Sequence, residues 1–150
     1  VITVQDSDFE YNPEELPRLL APILENKADF VFGAREAFVK GLPHRVMYFW
    51  HLKINAFLTA FCNMFSNLAL SDMECCYKMF RRSVLEKIEL KECRFGFEPE
   101  ITLKASRQDI LFYEVPVSYS CRTYAEGKKI SWKDGVSALR CIIKYGLFRM

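Results

Sequence analysis

The sequence is poor in glycine, proline and net charge, which are features typical of fibrous, low-complexity and nucleic-acid-binding proteins. Its 150 residues include only six glycines and six prolines, too few for a collagen-like or low-complexity chain. The net charge at pH 7 is only +2, and no basic run interleaved with aromatic residues forms a recognisable nucleic-acid module. With 51% hydrophobic and 27% charged residues, the composition indicates a soluble globular domain rather than a disordered chain. Nucleic acid is therefore not expected as a partner.

The sequence contains no CxxC pair, and we expect neither a signal peptide nor a clean membrane span. Its six cysteines, two of them adjacent as Cys75-Cys76, form no dense framework, so we expect a reduced, cytosolic chain with buried thiols. The aromatic-rich stretch 44–70 is interrupted by His51, Lys53 and several asparagines, which argues against a membrane-spanning helix. The first residue is Val1 rather than methionine, and we therefore expect a fragment of a longer protein.

The charges are distributed unevenly along the chain. Residues 1–36 carry eight acidic and three basic residues, whereas residues 122–150 carry seven basic and two acidic residues. An acidic beginning suits a cation, and a basic end suits phosphate groups or an anionic membrane surface.

The order of elements predicts an α/β domain. An apolar strand at 1–5 leads to a helix that starts at Pro13, with Asn12 as its N-cap and Glu15 completing a capping box. A second buried strand follows at 28–32. A strand, a helix and a strand within about 30 residues form the βαβ pattern.

The rest of the sequence, after the second strand, predicts four helices, one strand and one polar loop in the same single domain. The predicted helices cover 44–70, 82–88, 98–107 and 131–147, and the strand covers 111–117. The loop covers 121–130. In the amphipathic terminal helix, 131–147, an apolar stripe that includes Trp132 lies beside basic residues. Two interpretations stay open for this stripe: packing in the core, or contact with an anionic membrane surface.

The segment Asp6-Ser7-Asp8-Phe9-Glu10 follows the first strand directly. Ligands collect at the carboxyl ends of strands in α/β sheets, and alternating carboxylates suit Mg²⁺ or Mn²⁺. A solvated acidic turn is the alternative. An EF-hand is excluded, because Tyr11 and Pro17 occupy the positions of its glycine and its bidentate glutamate.

Several segments together resemble family 2 glycosyltransferases, and most closely the dolichyl- or polyprenyl-phosphate sugar (mannose) synthase branch. The D-x-D-x-[QE] motif at 6–10 is followed in order by counterparts of further family motifs at 32–35, 70–78, 97–100, 115–117 and 122–128. The sequence departs from these motifs at Ala34, at Cys75-Cys76, and at Ala125 and Gly127, which indicates a sub-branch.

The resemblance implies a GT-A-type fold, an α/β nucleotide-diphospho-sugar transferase fold with three α/β/α layers. The family's N-terminal nucleotide-binding half has no counterpart here. Residues 1–150 are therefore expected to form a single domain fragment, the C-terminal portion of that fold.

The resemblance also implies the roles of individual residues. It makes Asp6, Asp8 and Glu10 the ligands of Mg²⁺ or Mn²⁺, which bridges the donor diphosphate. Arg35, Arg122 and Lys128 would bind the phosphates of the donor or the acceptor, and Asp72 and Glu100 are the acidic residues expected to be catalytic. Asp72 would either act as a base or orient the substrate, whereas Glu98 is interpreted as a helix-start residue.

The function implied is metal-dependent, inverting transfer of a mannose- or glucose-type sugar. The partners are a nucleotide diphosphate sugar, polyprenyl or dolichyl phosphate, and an anionic membrane surface, with the protein peripheral at the cytoplasmic face. One alternative is transfer to a glycan hydroxyl with a carboxylate base. The other is a catalytically silent, membrane-associated partner of the same fold.

Overall fold

The structure is a computed structural model that describes residues 1–36, 44–123, 125–127 and 132–148. Its strands are β1 (Ile2–Val4), β2 (Phe30–Arg35), β3 (Lys78–Phe80) and β4 (Phe112–Val117). Its α-helices are α1 (Leu16–Leu24), α2 (Phe49–Ser66), α3 (Arg82–Leu85), α4 (Phe97–Ala105) and α5 (Trp132–Leu147). Single 3₁₀ turns, Pro13–Glu15 and Arg94–Gly96, precede α1 and α4.

The four strands form one mixed sheet in the order β1-β3-β2-β4. β3 is antiparallel to both of its neighbours, and β2 is parallel to β4. β1 and β2 therefore run in the same direction, as the βαβ pattern requires, but β3 lies between them. The carboxyl ends of β1, β2 and β4 and the amino end of β3 consequently meet at one edge of the sheet.

The sheet is covered on both faces, which confirms the predicted three-layer α/β/α architecture. Alternate residues of each strand point to opposite faces. On one face α1 packs against a cluster that contains Val31, Met79 and Val117. On the other face Phe30 and Phe32 belong to a cluster with residues of α4.

A third cluster joins α2, α4 and α5, with Cys62, Leu103 and Ile142 fully buried in it. α2 and α5 therefore pack around α4 on the outside of the domain. None of the helices within the described ranges is sufficiently long and apolar to cross a bilayer.

Several predicted boundaries were wrong. The helix predicted at 44–70 covers only Phe49–Ser66 and ends where Asn67 adopts a left-handed conformation, φ 56°, which asparagine tolerates at a helix C-terminus. Asn12 does cap the first turn, but Glu15 accepts hydrogen bonds from Ser118 instead of completing a capping box. The prediction missed β3 altogether, because three residues are too few to reveal an alternating pattern.

Candidate functional site

Two adjoining cavities open at the edge where the strands meet. The charged cavity, of about 320 Å³, is lined by the carboxylates of Asp6, Asp8, Glu10, Glu74 and Glu98 and by Arg35, Arg94 and Arg122. The apolar cavity, of about 580 Å³, lies between α2 and α5, and its lining includes Trp50, Ile54, Phe57, Trp132, Val136 and Leu139. The two cavities share four lining residues, Arg35, Glu74, Phe95 and Tyr119.

In the charged cavity Arg122 bridges two of the predicted metal ligands. Its Nε donates to Glu10 Oε1 at 2.9 Å, and its Nη2 donates to Asp8 Oδ2 at 2.8 Å. The turn that presents the two carboxylates contains Phe9 with φ 61°, and the Glu10 amide donates to Asp8 Oδ1. The structure thus brings Arg122 to Asp8 and Glu10, although it lies more than 110 residues from either of them in the chain.

The second oxygen of Glu10 is also used. Tyr119 Oη donates to Glu10 Oε2 at 2.8 Å, and the Arg122 amide donates to Oε1. Burial acts to raise the pKa of Glu10, but the hydrogen bonds from Arg122 and Tyr119 lower it below its usual value. Glu10 therefore anchors the segment 119–122 to the end of β1.

Arg35 and Asp72 form a buried ion pair at the boundary between the cavities. Arg35 Nη2 donates to Asp72 Oδ1 at 2.7 Å, Nε donates to Oδ2 at 2.5 Å, and Asn55 Nδ2 also donates to Oδ1. The Arg35 guanidinium lies over the Tyr119 ring, 5.1 Å from its centre. Bidentate pairing of this kind fixes the arginine in one orientation.

Asp72 is poorly suited to act as a base in this arrangement. It is fully buried, and although burial acts to raise its pKa, Arg35 holds the pKa below its usual value. A general base works best when its pKa is close to the working pH. In this geometry Asp72 positions Arg35, a role that the sequence did not predict. Orientation of the substrate by Asp72 stays a prediction.

Glu100 lines neither cavity. Its carboxylate accepts hydrogen bonds from the amides of Lys91 and Glu92 and from Lys104 Nζ. Burial acts to raise the pKa of Glu100, but these donors lower it below its usual value. In the structure Glu100 ties the segment before α4 to that helix, and its catalytic role stays a prediction. Lys128, the third predicted phosphate ligand, lies outside the described residues.

The donor chemistry of the charged cavity fits a Mg²⁺ or Mn²⁺ ion in part. Across the described ranges, no three His, Cys, Asp or Glu side chains converge as a preformed metal site. Mg²⁺ is, however, commonly held by one or two carboxylates together with substrate phosphates. Asp6 and Asp8 suit that arrangement. Burial and the nearby Glu10 raise the pKa of Asp8, and a divalent cation beside this carboxylate would lower that pKa again. Both oxygens of Glu10 are already hydrogen-bonded.

Two carboxylates of the site were missed in the sequence. Glu98 does lie in the first turn of α4, as predicted, but it also lines the charged cavity. Glu74 lines both cavities. The available signal was an acidic residue inside the otherwise apolar run from Met73 to Tyr77, directly before a strand.

The comparison with protein families agrees with the predicted resemblance. The sequence profile of glycosyl transferase family 2 matches residues 1–89, more than half of the chain. This match confirms the predicted family and, with it, the GT-A-type fold class.

Three relatives are similar over most of the chain. A low-salt glycan biosynthesis hexosyltransferase, Agl6, of Haloferax volcanii is 28% identical over 144 residues, which are 95% of this chain and 34% of that protein. An undecaprenyl-phosphate mannosyltransferase of Micrococcus luteus is 27% identical over 85% of this chain and 52% of that protein. A polyprenol monophosphomannose synthase of Mycolicibacterium smegmatis is 28% identical over 85% of this chain and 48% of that protein. The chain thus spans between a third and about half of the length of these relatives.

Proposed function

Because the chain belongs to glycosyl transferase family 2, we propose that it is the second part of a GT-A catalytic domain that transfers a hexose from a nucleotide diphosphate sugar to a polyprenyl phosphate. Two of the relatives carry names that describe sugar transfer to polyprenyl carriers, which supports this acceptor class. The proposal covers the protein that contains residues 1–150, with the nucleotide-binding half supplied by another part of that protein.

The junction of the two cavities is the observation that carries the proposal. A polyprenyl phosphate has an anionic head and an apolar tail. The charged cavity offers the arginines and carboxylates that suit a phosphate and a metal ion, and the adjoining apolar cavity offers Trp50, Phe57 and Trp132. A continuous site of this kind fits a lipid phosphate better than a glycan, whose hydroxyls would meet an apolar wall.

The chemistry needs little from a base. A phosphate oxygen of the acceptor forms a bond to the anomeric carbon, and the bond from that carbon to the donor diphosphate breaks, with inversion. A phosphate monoester has a second pKa near 6, so no proton has to be removed at neutral pH. This agrees with the lowered pKa values of Asp72 and Glu100, which make both weak bases for a hydroxyl acceptor.

The residues of the charged cavity would divide the remaining tasks. Asp6 and Asp8 would hold the divalent ion, which supplies positive charge to the departing diphosphate when bound. Arg122 is within reach of the same phosphates, because a loop carries it and, among the described residues, its side chain is held by hydrogen bonds to Asp8 and Glu10. Arg35 is fixed by Asp72 at the cavity junction, where it would offset the charge of the acceptor phosphate.

The outer surface of α2 and α5 would bring the site to the lipid. Trp50 and Trp132 are 72% and 74% exposed and lie on these two helices, as do the exposed Phe57 and Val136. Exposed aromatic and aliphatic residues on adjacent helices suit peripheral binding to a membrane. We place the protein at the cytoplasmic face, where nucleotide sugars would be available.

The test is a transfer assay with the complete protein. Labelled UDP-glucose and GDP-mannose are offered with polyprenyl phosphate and, in parallel, with the matching polyprenol and a soluble glycan. We expect product only with the phosphate, and a higher acceptor KM for Arg122→Ala than for Arg18→Ala, an exposed control. Preferential transfer to a hydroxyl would favour the glycan alternative, and no transfer to any acceptor would favour the silent partner.

The metal requirement is tested separately. Excess EDTA is expected to abolish transfer and added Mg²⁺ or Mn²⁺ to restore it. Asp8→Asn should lower kcat/KM by at least tenfold while Asp109→Asn, an exposed control, leaves it unchanged. Full turnover in EDTA, or an Asp8→Asn variant as active as the unaltered protein, would contradict the metal assignment.

A further inference from the structure

Arg94 is an exposed arginine whose backbone adopts an uncommon conformation. Its φ is 53°, in the left-handed region that favours glycine and is unfavourable for a long side chain. Among the described non-glycine residues, the others with a positive φ are Phe9, Asn26 and Asn67, and asparagine tolerates this region. Phe9 lies in the turn that presents the carboxylates of the charged cavity, and Arg94 lines the same cavity. Strained residues of this kind are concentrated at ligand-binding sites.

The guanidinium of Arg94 lies where the two cavities adjoin. Its Nη2 is 3.6 Å from Oδ1 of Asp134, a residue in the first turn of α5 that lines the apolar cavity. The next residue in the chain, Phe95, lines both cavities. A long, exposed ion pair such as that between Arg94 and Asp134 contributes little to stability. Exchange of Asp134 for another anion would therefore cost little.

Of the arginines among the described lining residues of the charged cavity, Arg94 is held most loosely. Arg35 is buried and donates two hydrogen bonds from its guanidinium to Asp72. Arg122 is held at the end of β1 by hydrogen bonds of 2.8 and 2.9 Å. The side chain of Arg94 is 75% exposed, against 38% for Arg122. Its planar guanidinium can therefore turn towards a phosphate and bind two of its oxygens.

The position of Arg94 suits the acceptor phosphate better than the donor diphosphate. In the proposed function, the donor diphosphate lies beside Arg122 and the carboxylates at the end of β1, whereas the acceptor tail lies in the apolar cavity. The head of the acceptor then lies at the junction, beside Arg94. Burial raises the pKa of Glu74 to about 8 and also raises the pKa of Glu98. These two residues of the cavity wall therefore repel a phosphate less than exposed carboxylates would.

We propose that Arg94 exchanges Asp134 for the phosphate of the polyprenyl phosphate acceptor and thereby fixes this phosphate at the mouth of the apolar cavity. The inference rests on the proposed function and adds to it the residue that binds the head of the acceptor. The phosphate gains charge-assisted hydrogen bonds from the guanidinium, while a long ion pair is given up. A polyprenol has no negative charge to offer Arg94, so only the phosphate uses this contact.

The test compares ligands that differ only in the phosphate. Titration calorimetry of the complete protein uses farnesyl phosphate and farnesol as short acceptor analogues, and UDP and GDP as the diphosphate part of the donor. Arg94→Gln should weaken binding of farnesyl phosphate about tenfold and leave the affinities for farnesol and the diphosphate unchanged. Arg82→Gln is the matched control, because the Arg82 side chain is 79% exposed, forms an exposed ion pair and lines neither cavity. It should change none of these affinities.

A glycine variant separates phosphate binding from a structural role. Arg94→Gly removes the guanidinium and suits the left-handed backbone, so the melting temperature should rise by about 2 °C. Its affinity for farnesyl phosphate should nevertheless fall as much as that of Arg94→Gln. Arg94→Lys should restore part of this affinity, since lysine keeps the charge but not the planar fork. A lower melting temperature of Arg94→Gly, together with equal weakening of every ligand, would mean a structural role and overturn the inference.

Transfer kinetics give an independent readout. Arg94→Gln should raise the KM for polyprenyl phosphate about tenfold and leave the donor KM unchanged, which decides the question if farnesyl phosphate is too short to bind. A rise confined to the donor KM would place Arg94 at the donor diphosphate and overturn the inference. If the unaltered protein transfers sugar to polyprenyl phosphate but Arg94→Gln changes neither KM, the inference fails and the proposed function stands. If the unaltered protein binds no farnesyl phosphate and transfers no sugar, the proposed function fails too.

Discussion

At the residue scale, arginine–carboxylate pairs organise the candidate site. Arg122 joins Asp8 to Glu10, and Arg35 is held by Asp72. The two pairs differ in exposure: the Arg122 side chain is 38% exposed and Arg35 is buried. The exposed pair can exchange its partners for a substrate phosphate at little cost, whereas the buried pair is a fixed part of the fold.

The buried pair leads to a prediction about stability. Asp72→Asn keeps the shape of the side chain but leaves the Arg35 charge without its partner, so the free energy of unfolding should fall by about 3 kcal/mol. Urea denaturation at pH 7 measures this loss, with the exposed Asp109→Asn as a control expected within about 0.5 kcal/mol of the unaltered protein. The double variant Arg35→Gln/Asp72→Asn should recover part of the loss. Additive losses in the double variant would contradict the pairing.

Glu74 leads to a prediction about pH. Its folded-state pKa of about 8 lies above the ordinary value of 4.5, so the folded state keeps a proton that the unfolded chain releases. Its contribution to stability is fully present below pH 4.5 and is lost as the pH rises towards 8. Glu74→Gln should therefore stabilise the protein by roughly 4 kcal/mol at pH 8.5 relative to its effect at pH 5.

Urea denaturation at the two pH values measures the difference for Glu74→Gln. The exposed Glu25→Gln is the control and should show no more than about 0.5 kcal/mol of pH dependence. An effect of Glu74→Gln that is equal at pH 5 and pH 8.5 would contradict the raised pKa.

At the element scale, close approaches of the backbone position the site. A Cβ atom added to Gly33 in β2 would lie 2.9 Å from Tyr77 Cβ, and the Gly33 amide donates to the Tyr77 carbonyl at 2.7 Å. Only glycine lets β2 come this close to the segment before β3. That segment carries Asp72 and Glu74, so the contact at Gly33 helps to bring them to the edge where Arg35 lies.

The packing of α2 against α5 gives a pair of predictions of opposite sign. In Gly146→Ala the new Cβ would lie 2.6 Å from Phe65 Cγ, so the helices must separate and about 1–3 kcal/mol of stability should be lost. In Gly135→Ala, on the same helix, the one described atom near the new Cβ is Ile54 Cγ2 at 3.8 Å. Alanine favours the helix there, and stability should rise by up to about 1 kcal/mol. Thermal denaturation measures the change in stability of both variants. Losses of equal size would contradict the close contact between Gly146 and Phe65.

At the scale of the whole molecule, the surface of α5 bears on both interpretations of the terminal helix. The core face consists of Ala138, Cys141, Ile142 and Tyr145, whereas Trp132 and Val136 are exposed. Two basic residues of α5 are less available for contact with an anionic membrane than the sequence implied. Arg140 and Lys144 both bind Glu92, and Lys144 acts with Tyr145 and Arg140 to hold the pKa of Glu92 at about 2. The apolar residues therefore dominate the surface that would meet a membrane.

This surface predicts the mode of membrane binding. Trp132→Ser should lower partitioning of the complete protein onto phosphatidylcholine vesicles roughly tenfold, since burying one large side chain contributes about 1.5–3 kcal/mol. Leu24→Ser is the matched control, because Leu24 is exposed on α1, on the other face of the sheet. Vesicles with anionic lipid should bind more tightly, with an increment that falls as salt rises. Equal losses for the two variants would contradict a membrane-facing α2–α5 surface.

The sequence by itself determined the local elements and the family. Asn12 caps the first turn, and the strand predicted at 111–117 matches β4 to within one residue. Motif order along the chain was enough to identify the family. These features depend on neighbours in the chain or on residue types at fixed spacings, which a sequence records directly.

Only the tertiary structure decided how the carboxylates are used. Asp72, Glu74, Glu98 and Glu100 are similar acids in matched or nearby segments, and no spacing distinguishes them. The fold pairs Asp72 with Arg35, buries Glu100 among amide donors and Lys104, and leaves Glu74 with an unpartnered oxygen at the cavity wall. The roles differ because the pKa and hydrogen bonding of a carboxylate depend on groups brought near it from distant parts of the chain, through a β3 strand too short to be recognised in the sequence.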